Sequence, residues 1–119
     1  MPSDKKSSDD KTSAKINASD ILKDYQTLSQ EYFRILDISK EILNELEKEA
    51  NEVKLSQLLD RKLEIGKRIE LLSQRIANQD IGSLSSDKSI LNEVKMELEK
   101  IKSLANKLWD LEREIKKVL

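Results

Sequence analysis

The chain contains no cysteine and no histidine. The first absence excludes a disulfide framework and a thiolate metal site. The second removes the side chain best suited to proton transfer near neutral pH, and a preferred zinc ligand. One proline and two glycines are the only strong breakers in 119 residues, and aromatics make up 3%. A chain so poor in breakers and so rich in Glu, Lys, Leu and Ile is expected to form long helices. Neither sign of charge prevails: 22 basic against 23 acidic residues leave a formal net charge of −1. Nucleic acid calls for a basic stripe and anionic lipid for net positive charge, so neither partner is expected. No apolar run reaches the roughly 15–20 residues of a secretory signal or membrane span. A cytoplasmic protein without membrane insertion is the expectation.

What is present is helical periodicity. Residues 1–18, "MPSDKKSSDDKTSAKINA", hold one bulky apolar side chain after Met1, Ile16. They cannot bury enough surface to offset ordering entropy, so a disordered, solvated tail is expected. Residues 19–119 form the expected domain. Its first helix should open at Ser19 or Asp20, either able to cap the first turn. Its seam runs Ile21, Tyr25, Leu28, Tyr32, Ile35, Ile42 and Leu46, with one step of seven across Ser39. Leu22, Leu36, Leu43 and Ala50 widen that stripe, which suits a bundle better than a two-stranded zipper.

Continuing the register would place Glu49, Val53, Ser56 and Asp60 on the seam, three of the four polar. A new stripe starts out of phase at Leu55, Leu58, Ile65, Ile69, Leu72 and Ile76. A rotation of that size favours a break near residues 50–54 over one continuous helix. The clearest break is "NQDIGSLSSDKS" at 78–89, where Ser85 or Ser86 should cap a third helix with Asp87 in its first turn. That helix carries Leu91, Val94, Leu98, Ile101, Ala105, Leu108, Ile115 and Leu119, with Glu112 as the one intruder. Ile90, Leu104, Leu111 and Val118 form its flank. The predicted fold is all-α: an antiparallel bundle of about three long helices with a disordered N-terminal tail, and no strands.

Little of this suggests chemistry. The carboxylates of "ELEKE" and "ELEK" alternate with lysine at helix-pair spacing and read as solvated faces. No enzyme, metal or cofactor is expected. Lys54, Arg61, Arg68 and Arg75 precede successive seam positions on the second helix. Their expected role is to shield the seam and pair with acidic residues of a neighbouring helix; a cationic edge for an acidic partner is the alternative. Gly66 costs about 1 kcal/mol relative to Ala, and permits either close helix approach or a bend. Candidate partner-binding residues lie beside the seam: Phe33, Leu63, Leu71 and Trp109, the last flanked by Ala105, Leu108 and Glu112. On the third helix that edge is Lys95, Lys102, Trp109 and Lys116, where one indole interrupts a lysine row.

The two helices "YQTLSQEYFRILDISKEILNELEKE" and "LSQLLDRKLEIGKRIELLSQRI", a serine-rich loop and a final helix resemble the flagellar export chaperones of the FliT/FlgN type. Leu55, Leu58, Leu59, Arg61, Ile65 and Ile69 stand in the rhythm of that family's second helix. The resemblance covers residues 20–119 and rests on pattern and length. It implies a small helical chaperone that binds an amphipathic helix of a secreted flagellar subunit, keeps it soluble, and delivers it to the export apparatus. It further implies a monomer or weak homodimer, and partner exchange through residues 90–119. The competing expectation is a structural coiled-coil subunit or adaptor acting through self-association or a permanent complex.

Overall fold

The computed structural model describes residues 2–49, 51–79 and 87–119, with side chains from residue 18 onward. Three helices form: α1 over Pro2–Glu47, α2 over Glu52–Ala77 and α3 over Lys88–Val118. No strand occurs among the described residues, in line with the missing period-two alternation. Ser19 and Asp20 lie within α1 rather than at its start, since no glycine or proline interrupts residues 3–47. The tail expected over residues 1–18 lies, up to residue 17, outside the described side chains. Among those described, Ala18 is the first to pack against the core.

The break near residues 50–54 is real. Asn51 takes extended backbone angles, and its side-chain oxygen accepts from the amides of Val53 at 3.1 Å and Lys54 at 3.2 Å. That satisfies two of the donors every helix start exposes, a contribution of about 1 kcal/mol for a good cap. Ser85 and Ser86 lie outside the described residues. The cap of α3 is Asp87 itself, whose carboxylate accepts from the Ile90 amide at 3.2 Å.

α1 is the central helix. Along its α2 side, Asp24 meets Arg75 at 3.5 Å, Glu31 meets Arg68 at 3.7 Å and Glu45 meets Lys54 at 3.0 Å. Residue numbers rise by seven and then fourteen on α1 as they fall by seven and then fourteen on α2, which fixes an antiparallel register. The same register puts Arg61 opposite Ile38, and Arg61 has no acidic partner among the described residues. On the other side of α1, Ser29 donates to Glu97 of α3 at 2.7 Å, and Ile42 packs with Ile115. Residue numbers there rise together, so α3 runs parallel to α1. The extra leucines of the α1 stripe now have a cause. One helix serves two neighbours, with Leu36 and Leu43 bordering Leu111 of α3.

Candidate functional site

The core is not continuous along the bundle. At one end Ile21, Tyr25, Leu28, Val94 and Ile101 are buried together, with Ile69, Leu72 and Ile76 packed against them. At the other, Ile42, Leu58 and Ile115 form a separate cluster. Between the two, each stripe carries a polar residue. On α1 it is Ser39, fully buried at 0% exposure, whose Oγ has no hydrogen-bond partner. On α2 it is Lys62, in the seven-residue step from Leu58 to Ile65, and on α3 it is Glu112. Lys62 and Glu112 form an ion pair, the one described polar contact that joins α2 to α3. Three gaps in three stripes thus fall at one level of the bundle. A polar layer of this kind fixes register at a cost in stability.

Here α2 and α3 stand apart. Among the described residues no Cα of α2 lies within 8 Å of a Cα of α3, whereas α1 approaches both that closely. Gly66 contributes to the gap: a Cβ built on it would meet nothing within 4 Å. Beside Gly66 lies an open cleft of about 520 Å³, with the buried Ile35 of α1 at its floor and Leu59, Lys62, Leu63, Gly66, Lys67 and Glu70 of α2 along its wall; its lining holds no α3 residue. The parallel register brings Ala105 and Leu108 of α3 to the level of Ile35. Both are only half-buried, as are Leu91 and Leu98 further along, although all four are seam residues. Val94, Ile101 and Ile115 are buried. The α3 stripe is therefore covered toward α1 and left partly open toward α2.

The candidate residues do not converge on one face. Leu63 lines the cleft, and Glu112 reaches it through Lys62. Phe33 lies in a different groove, between α1 and α3, beside Gln30, Lys100 and Leu104. Leu71 is exposed and borders neither. Trp109 is 66% exposed, with the Arg113 guanidinium 5.7 Å from its ring centroid one turn later. Leu104 and Leu111 occupy the α3 edge turned to α1. Trp109 sits across the seam from them, on the edge turned to α2. The indole is where it is because no helix covers that edge.

No family model, characterised protein or solved structure matches the chain. Among the described residues no cluster of carboxylates is arranged to hold a metal ion. The buried Glu31 is held by Arg34 at 3.0 Å as well as by Arg68. The Lys54 ammonium, hydrogen-bonded to Glu45, holds that carboxyl below its ordinary range. Burial pushes the Tyr25 phenol above its own. Both shifts belong to helix packing. What remains is an apolar cleft edged by Lys62, Lys67 and Glu70, a geometry suited to holding another helix. Sequence reasoning missed Ile35 as its floor, and Leu59, Lys62 and Gly66 as its wall. The available signal was the pair of polar interruptions, Lys62 and Glu112, on two neighbouring stripes.

Proposed function

We propose that this protein is a non-enzymatic chaperone of the flagellar or type III export kind, which captures an amphipathic helix of a secreted subunit and keeps it soluble in the cytoplasm. Its main support is the half-filled middle of the bundle: α2 and α3 are held apart over an apolar floor. A client helix laid in the cleft buries Leu59, Leu63, Ala105 and Leu108, all left partly exposed in the free chain. Burial is favourable at roughly 25 cal/mol per Å² of apolar surface removed from water. No described helix is long and apolar enough to cross a membrane. The family resemblance supplies the class of client, and the export apparatus is its destination.

A direct test mixes the protein with filament or hook-associated subunits that aggregate on dilution from denaturant. Stoichiometric protein should suppress turbidity, and the single indole should shift to the blue as its edge is covered. Trp109→Ala should weaken the complex by roughly 1–3 kcal/mol at little cost to folding. Unchanged aggregation removes the chaperone function. An elongated obligate oligomer in scattering measurements replaces it with a structural coiled-coil subunit.

A further inference from the structure

Three occupants could fill the cleft: the chain's own N-terminal segment, a second copy, or a foreign helix. The N-terminal segment supplies only Met1 and Ile16 as bulky apolar groups before Ala18, too little to cover an apolar floor. A second copy meets a charge conflict. Lys67 lines the cleft, and Lys95, Lys102 and Lys116 follow the α3 edge that carries Trp109. Lys67, Lys95 and Lys116 have no carboxylate partner among the described ion pairs, and Lys102 has only Glu99 of its own helix at 3.8 Å. Glu70 is the one acidic residue along the lined wall. Two copies joined through this face would set lysine against lysine, which favours a partner of opposite charge.

We propose, building on the helix-binding function above, that the α2–α3 cleft seats a foreign amphipathic helix whose polar flanks are acidic, and that its carboxylates take Lys62 from Glu112. The occupant's apolar stripe lies over Ile35, in the space that Gly66 leaves open. Its acidic flanks meet Lys67 on one side and the Lys95, Lys102 and Lys116 row on the other. The Lys62–Glu112 pair crosses the cleft in the free chain, so it has to open for a helix to enter. Opening it frees both charges: an acidic helix re-pairs Lys62 and leaves Glu112 to water, and a basic helix does the reverse. Selectivity for acidic helices comes from the surrounding lysines, Lys67, Lys95 and Lys116 without a carboxylate partner among the described ion pairs and Lys102 held only by Glu99 of its own helix.

The probe is a set of three synthetic helices of about 20 residues, a length of roughly 30 Å, sharing one Leu/Ile stripe and differing in polar faces of Glu, Gln or Lys. Binding is read by fluorescence anisotropy and by Trp109 emission. The Glu peptide should bind at least about tenfold more tightly than the Lys peptide near 0.1 M salt, and the difference should shrink near 1 M. Glu112→Gln should tighten the Glu peptide several-fold by freeing Lys62. The combined variant Lys67→Glu, Lys102→Glu and Lys116→Glu should reverse the order of the peptides. Gly66→Phe fills open space, so it should keep the parent's helical content and melting while abolishing binding of all three. Equal affinity for the three peptides overturns the acidic selectivity while leaving helix capture standing. Failure of every peptide to bind removes helix capture as well. Glu-peptide binding that survives Gly66→Phe places the site elsewhere. Concentration-dependent dimerisation that shields Trp109 gives the cleft to a second copy.

Discussion

Two buried serines ten residues apart on α1 should respond in opposite ways to the same substitution. Ser39 is completely buried and its hydroxyl has no hydrogen-bond partner. Ser29 is almost as buried, and its hydroxyl donates to the Glu97 carboxylate at 2.7 Å. Leaving a buried hydroxyl unsatisfied costs about 1–3 kcal/mol, so Ser39→Ala relieves that penalty. Alanine also gains up to roughly 0.5 kcal/mol in helix propensity. The missing oxygen leaves a void smaller than a methylene, which takes back less than about 1 kcal/mol. The net expectation is a gain of about 1–2 kcal/mol, or a Tm higher by roughly 4–10 °C for a domain of this size. Ser29→Ala should lose a charge-assisted bond, at about 1–2 kcal/mol, while Glu97 keeps Lys100 at 3.3 Å. The assay is thermal and urea unfolding followed by circular dichroism, with both variants measured beside the parent. A Ser39→Ala protein that melts at or below the parent would show that the hydroxyl is satisfied after all. The polar layer would then contribute stability instead of costing it.

Other consequences are direct. Gly66→Ala should raise stability by about 1 kcal/mol, because the new methyl group meets nothing and the helix gains propensity; a lower Tm would mean the position needs glycine's backbone freedom. Ile42→Ala, at a site 1% exposed, should cost about 2–5 kcal/mol in urea unfolding, and a loss below 1 kcal/mol would show the second cluster to be loosely packed. The Glu45 carboxyl lies below its ordinary range because of Lys54, so the stability it contributes is present above the unfolded-state value and lost as pH falls through the folded one. NMR titration should show that depression abolished in Lys54→Gln; an unchanged Glu45 midpoint would dismiss the ion pair. Tyr25 is shifted the other way by burial, so its contribution is complete below the unfolded-state phenol range and lost as pH rises through the folded value. Tyr25→Phe should therefore flatten the loss of stability at alkaline pH.

The sequence by itself determined the helices, their breaks and most of their inward faces. These are local properties: a stripe at 3–4 spacing, a phase change near Asn51, a glycine- and serine-containing stretch after Ala77. It also marked the basic edge of α2 as structural, and three of its four members do pair with α1. It could not give Arg61 its missing partner, because that depends on Ile38 standing where the other heptads carry acid. Nor could it show that Ser39, Lys62 and Glu112 share a level. Each is an isolated interruption until the antiparallel and parallel registers bring them together. Trp109 and the half-buried α3 leucines belong to the same class. A helical stripe says which face seeks cover but not whether a neighbour arrives to cover it. That was decided by the tertiary structure, where α1 packs against both other helices and α2 and α3 stay apart, leaving a cleft over Ile35.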